Sequence, residues 1–101
     1  MFTDIEGSTA LVAEFGNQAA RLFSSHAEVI RAAVDQHRGV EVGTEGDSFF
    51  CVFTSATDAV AAAVTAQRGL DDHQWPKGRS LRVRIGLHTG SGTLGLSLIH
   101  I

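Results

Sequence analysis

Apolar residues recur along this chain with two different periods, and the switches between them outline its elements. From about Gln18 to Arg38, the positions Leu22, Phe23, His26, Val29, Ile30, Ala33 and Val34 fall three and four residues apart. That is the spacing of one face of an α-helix. Gly39 follows, where a C-terminal cap belongs. A second helical stretch carries Ala59, Val60, Ala63, Val64 and Gln67 and runs to about Leu70. Ser55, three residues before Asp58, predicts its N-terminal cap, and the alanines 61–63 suit close packing on a sheet. Nearer the N-terminus, Leu11, Val12 and Phe15 share one face of a shorter helix that Gly16-Asn17 interrupts. Gly7-Ser8-Thr9 in front of it reads as a turn with good N-cap residues.

Elsewhere the period is two. Val40 and Val42 alternate with Glu41 and Gly43, and Ser48 to Phe53 is a β-branched and aromatic run. Glu45-Gly46 between them predicts a tight turn, so the two runs read as a hairpin. Leu81, Val83, Ile85 and Leu87 alternate with Arg82, Arg84, Gly86 and His88, a strand with two unlike faces. Residues 1–6 read as the end of a buried strand, and Asp71 to Pro76 as a loop anchored by Trp75. The order is strand, helix, helix, strand, strand, helix, strand. A hairpin between two helical segments predicts an α+β fold with helices on one face of a mostly antiparallel sheet.

Composition narrows the function classes. The 101 residues suffice for one domain. A net charge of -3 argues against a nucleic-acid partner recognised through bulk charge. The longest apolar run, Ala59 to Val64, is far below the ~20 residues that span a bilayer, so no membrane segment is expected. No signal-peptide pattern opens the chain. A single cysteine, Cys51, rules out an internal disulfide framework and fits a reducing, cytoplasmic compartment. Its place between Phe50 and Val52 predicts a buried, inert thiol. Both ends are expected to be cut. The first strand begins almost at residue 1, and residues 96–101, Leu-Ser-Leu-Ile-His-Ile, resemble the in-frame translation of a sequencing-library adapter. The domain is therefore taken as residues 1–95, with 96–101 expected to be non-native.

Two carboxylates stand out. Asp4 ends the first strand ahead of a glycine turn that opens a helix, and Asp47 sits at the hairpin after Gly46. If the first strand lies beside the hairpin, the two meet at one edge of the sheet. Two carboxylates with little else suit Mg²⁺, which keeps waters and takes substrate phosphates as further ligands. Gly7-Ser8-Thr9 would then offer backbone N–H groups to a phosphate at a helix N-terminus. These parts suit a nucleoside triphosphate with one or two metals. The plainer reading of the same residues is a turn aspartate and a helix cap.

Three segments bear on that choice. Phe2-Thr3-Asp4-Ile5-Glu6-Gly7-Ser8-Thr9 resembles the opening motif of class III nucleotidyl cyclases, the adenylate and guanylate cyclase catalytic domain. Glu45-Gly46-Asp47-Ser48-Phe49-Phe50 resembles that family's glycine-aspartate hairpin, and Arg82-Val83-Arg84-Ile85-Gly86-Leu87-His88-Thr89-Gly90 its later strand motif. The three stand in the family's order, over Phe2 to about Gly92, with closest likeness to the bacterial single-domain type. The resemblance implies a ferredoxin-like cyclase fold lacking its C-terminal part. It implies Asp4 and Asp47 as ligands of two Mg²⁺ or Mn²⁺ ions, the Ile5 carbonyl as a further metal ligand, and Gly7, Ser8 and Thr9 as the loop around the triphosphate. The implied reaction turns ATP or GTP into a 3′,5′-cyclic nucleotide and pyrophosphate for intracellular signalling, in a cytoplasmic homodimer.

Two departures matter. Where family members carry a base-reading lysine, four residues before the second aspartate, this chain has Gly43, with Thr44 and Glu45 as nearby polar candidates. The family's further base-reading residue, its asparagine and its transition-state arginine come from segments after the third motif, and the partner subunit's site receives them. The chain is therefore expected to be inactive by itself. Among the remaining residues, His26 and His37 are expected as core or boundary histidines and His88 as a residue that packs or hydrogen-bonds at a strand end. Arg82 and Arg84 are expected as a solvated or partner-facing pair, and Asp71-Asp72 as solvated. A cyclase-like regulatory or dimerisation module is the alternative reading. A haloacid-dehalogenase-type phosphatase is a remote one, because Glu6 stands where its acid aspartate belongs and the hairpin breaks its alternating topology.

Overall fold

The computed structural model describes residues 1–75 and 81–89. Gly90 of the third motif and the adapter-like residues 96–101 lie outside them. The element order follows the periodicity: β1 (Phe2–Ile5), α1 (Ser8–Phe15), a 3₁₀ turn (Gly16–Gln18), α2 (Ala19–Gln36), β2 (Val40–Glu45), β3 (Ser48–Val52), α3 (Ala56–Asp72) and β4 (Val83–Gly86). The strands form one sheet in the order β2-β3-β1-β4, with every neighbouring pair antiparallel. This is a βαββαβ, ferredoxin-like α+β arrangement. The phosphatase reading fails here, since it requires a parallel alternating sheet.

Alternation sorts the strand residues onto two faces. Thr3, Ile5, Phe49, Cys51 and Val83 are buried, on the face that α2 and α3 cover. Phe2, Asp4, Phe50 and Arg84 occupy the other face, where the Phe2 and Phe50 rings meet edge to face at 6.4 Å. Under the helices, α2 buries Leu22, His26, Ile30, Ala33 and Val34, most of the predicted stripe.

Several local expectations need correction. The buried face of α3 is Ala62, Ala66 and Leu70, while Val60 and Val64 are exposed. An alanine-rich helix has apolar residues almost all round, so its period fixes the element but not its rotation. Close approach to α2 selects the alanines, and Val29 reaches in against Gly69. Val12 of α1 is likewise exposed beside buried Leu11 and Phe15. No side chain caps α1. Gly7 is its N-cap, with a left-handed φ of 69° that turns the chain from β1 into the helix. Helix α3 is capped as expected, the Ser55 hydroxyl accepting from the Asp58 N–H at 3.3 Å. It runs on to Asp72, through residues expected in a loop. The Trp75 indole then donates to the Leu70 carbonyl at 3.0 Å and anchors the segment.

The end of α2 holds the least expected feature. Arg38, not Gly39, takes the left-handed conformation, at φ 63°. Arg38 N–H donates to Asp35 O at 3.3 Å and Gly39 N–H to Val34 O at 2.8 Å, the bonding pattern of a Schellman cap. Gly39 has a different task. A Cβ there would run into the Phe53 ring and Val34.

Candidate active site

Asp47 lies in the β2–β3 turn, where Gly46 takes φ 60°. The β1–β3 ladder pairs Phe2 with Phe50 and Thr3 with Phe49. Two residues further, the same register sets Ile5 opposite Asp47, but the chain has already turned away. The Asp47 side chain fills the gap: Oδ2 accepts from the Ile5 N–H at 2.7 Å. This bond carries the second carboxylate to the strand that holds the first. In an antiparallel strand a residue's N–H and C=O point to the same side, so the Ile5 carbonyl also faces the hairpin.

Asp4 projects from the open face of β1. Its register partner on β4 is Arg84, and the two form a forked ion pair, Nε–Oδ1 3.0 Å and the terminal nitrogen to Oδ2 2.8 Å. The Asp4 carboxylate raises the Arg84 guanidinium above its ordinary pKa, and Glu6 and Asp47 add to the effect. Arg84 was expected to be a solvated or partner-facing cation; it is exposed, and the structure adds that it pairs with Asp4. The signal was present, since alternation puts Arg84 on the polar face of its strand. Only the β1–β4 register says which carboxylate it meets.

Gly7, Ser8 and Thr9 follow at once, with Gly7 and Thr9 exposed at the start of α1. The two base-proximal candidates part company. Gly43 pairs with Phe50, on the face of Asp4, and a Cβ there would meet open space. Thr44 pairs with Phe49, on the helix-covered face. A bulge between Glu41 and Gly43 inserts one residue, so Glu41 and Thr44 fall on the same face. The Thr44 hydroxyl donates to Glu41 Oε2 at 2.6 Å, and Glu41 pairs with Arg31 at 2.9 Å. Thr44 thus lies on the opposite side of the sheet from Asp4. A pocket of about 180 Å³ beside this network, lined by Ile30, Arg31, Val34, Phe49 and Cys51, is also on the helix side.

The histidines divide similarly. His26 is buried against Phe49, ring centroids 5.6 Å apart, and its Nε2 has no hydrogen-bond partner. Burial lowers its pKa, with Asp47 and the Phe23 carbonyl opposing. His37 is half-buried and bonds the Thr65 hydroxyl at 2.8 Å. His88 is exposed rather than packed. The Cys51 thiol is buried and its pKa is pushed up to about 11, mainly by desolvation, so it stays protonated at neutral pH.

The donors at Asp4 and Asp47 fit a hard divalent cation. They are all oxygen, two carboxylates and a strand carbonyl. The Arg84 fork shows that a positive group already settles against Asp4. Among the described residues, no three His, Cys, Asp or Glu side chains converge to hold a metal. A site with two carboxylates relies on water and phosphate for its other ligands.

Comparison with known proteins places this geometry. Residues 1–98 match the family model of the adenylate and guanylate cyclase catalytic domain. The chain belongs to that family. Receptor-type adenylate cyclase B of Leishmania donovani is 41% identical over 75 residues, 74% of this chain and 6% of that protein. An uncharacterised protein of Mycobacterium bovis is 35% identical over 92 residues, 89% of this chain and 30% of that protein. Among solved structures, a Trypanosoma brucei adenylate cyclase in its monomeric state superposes with a TM-score of 0.71 at 35% identity. The superposition covers 73% of this chain and 32% of the trypanosome chain. The chain thus spans a third or less of each of these relatives. Among the described residues, no helix is long and apolar enough to cross a membrane.

Proposed function

We propose that this chain forms the metal- and triphosphate-holding part of a cytoplasmic nucleotidyl cyclase that makes a 3′,5′-cyclic nucleotide for signalling. The observation that carries the reading is the 2.7 Å bond from the Ile5 amide to Asp47, which sets the second carboxylate beside the strand of Asp4. Both carboxylates then bind one or two Mg²⁺ or Mn²⁺ ions, with the Ile5 carbonyl on the same side. Gly7, Ser8 and Thr9 lie where the first turn of α1 can donate backbone N–H groups to phosphate. Bound divalent ions supply two things: a lower pKa for the ribose 3′-hydroxyl and neutralisation of the phosphates. Asp4, Asp47 and the Gly7–Thr9 turn would hold the metals and the triphosphate, and the completed site would bring the hydroxyl to the α-phosphate. The O3′–Pα bond forms, the bond from Pα to the bridging oxygen breaks, and pyrophosphate leaves. The 3′ proton passes to solvent or to a residue outside this chain.

ATP is the substrate suggested by those relatives that are named adenylate cyclases. Gly43 leaves this chain without a lysine to read the base, so base selection rests on other residues. A second copy of the chain, in a head-to-tail homodimer, is the partner proposed to complete the site. Alone, the chain binds metal and nucleotide without turnover. The alternative of a regulatory module draws on the same Gly43. Two carboxylates on the first strand and its neighbouring hairpin oppose it, because a module that holds no metal has no use for both.

The test is Mn²⁺-dependent binding of ATP to the wild type, Asp4→Ala and Asp47→Ala. Loss of binding in both variants supports the cyclase site. Unchanged nucleotide affinity in both overturns it and leaves the regulatory module.

A further inference from the structure

We propose that Arg84 is a latch that competes with a divalent cation for Asp4 and so lowers the metal affinity of the site. The inference rests on the metal-site reading above and adds a regulation to it. Both oxygens of Asp4 are engaged by one guanidinium, at 3.0 and 2.8 Å. A forked pair of this kind fixes direction as well as charge. A divalent ion on Asp4 needs at least one of those oxygens, so metal and guanidinium compete for the same lone pairs.

The latch is built into the fold. Asp4 and Arg84 face each other in the β1–β4 register, so their meeting needs no loop movement. The β1–β4 ladder holds the two main chains together whether or not the side chains touch. Release is easy as well. The Arg84 side chain is 66% exposed, against 24% for Asp4, so the arm can swing into water while the carboxylate stays in place. Arg84 also sits in the field of Glu6 and Asp47. Without a metal it is the counter-charge for three carboxylates, one of which, Asp47, is tethered to the Ile5 amide.

The consequence is linkage. Whatever stabilises the pair weakens apparent metal affinity by the same factor. Exposed ion pairs are weak, so the expected factor is modest, about 1.5–5-fold. The latch therefore tunes metal occupancy and does not block it.

The experiment is a Mn²⁺ titration of the chain without nucleotide, following free Mn²⁺ by EPR at fixed ionic strength. Arg84→Gln removes the charge and the fork. Arg84→Lys keeps the charge and loses the fork. Asp4→Asn removes the shared acceptor. Thermal unfolding of each variant confirms that it is folded, and the lysine variant carries the test if the glutamine variant is not. The latch predicts tighter Mn²⁺ binding in Arg84→Gln by about 1.5–5-fold, a smaller gain in Arg84→Lys, and loss in Asp4→Asn. Equal or weaker binding in the Arg84 variants, with Asp4→Asn still losing it, overturns the latch alone. Wild-type binding in Asp4→Asn overturns the metal site itself, and the latch with it.

Discussion

The two faces of the sheet are made from alternate residues of the same strands, yet they solve opposite problems. Thr3, Ile5, Phe49 and Cys51 lie under helices and exclude water. Asp4 and Phe50, their immediate neighbours in sequence, and Arg84, next to buried Val83, face outward, and Asp4 and Arg84 hold charge in reach of solvent. On the covered face a polar group without a partner is costly, and the unpaired Nε2 of His26 and Oγ1 of Thr3 are its two such atoms among the described residues. On the open face a charge needs only a counter-charge, and Arg84 provides it. The lesson is that stability and function are separable here to within one residue along a strand.

That separation can be broken most forcefully from the covered side. Ile30 is fully buried, and Ile30→Ala is expected to cost about 2–5 kcal/mol through lost burial and a cavity. Chemical denaturation reads this as a lower midpoint, and a change within error would mean that α2 does not hold the sheet. From the open side, Asp47→Asn keeps an oxygen for the Ile5 amide but removes the charge. Mn²⁺ affinity should fall by about 100-fold or more, while the unfolding midpoint barely moves. A large loss of stability would show that the hairpin carboxylate belongs to the scaffold as much as to the site.

The joint between α2 and β2 offers a pair of opposite sign. Gly39→Ala places a methyl against Phe53 and Val34 and should destabilise by about 1–3 kcal/mol. Arg38→Gly relieves a left-handed side-chain-bearing residue and should stabilise by up to about 1 kcal/mol. Two changes of the same sign would contradict the cap geometry.

The smallest effect concerns pH. Burial depresses His26 below its ordinary 6.5 in the folded chain, so the unfolded chain takes up the proton first as pH falls. The associated stability is present above 6.5 and is lost as pH drops from there to the lower folded value. His26→Leu should flatten that slope, which amounts to at most about 1.4 kcal/mol per pH unit. An unchanged slope would assign the acid sensitivity to other groups.

Much of this was legible in the residues. The element order, the Ser55 cap and the buried Cys51 follow from local spacing, which reflects backbone geometry that each segment carries with it, and the three further segments were legible by their resemblance to a known family. The stripe of α2 was legible because its polar and apolar residues separate cleanly. The rotation of α3 was not, because alanine and valine surround most of that helix. The cap of α2 was misplaced by one residue, since a glycine can be required for close approach as readily as for a left-handed turn. Thr44 was a candidate only as the neighbour of Gly43, and neighbours along a strand face opposite ways. The bulge then brings Glu41 onto the face of Thr44, where the hydroxyl meets it.

The sequence by itself determined what each segment becomes and which carboxylates stand beside turns. The tertiary structure decided who meets whom. The Asp47 side chain takes over a rung of the β1–β3 ladder to reach Ile5, and the β1–β4 register delivers Arg84 to Asp4 across 80 residues of chain. Periodicity is a property of neighbours along the backbone. Register is a property of two strands brought together, and the energy that selects it comes from burying one whole face at once.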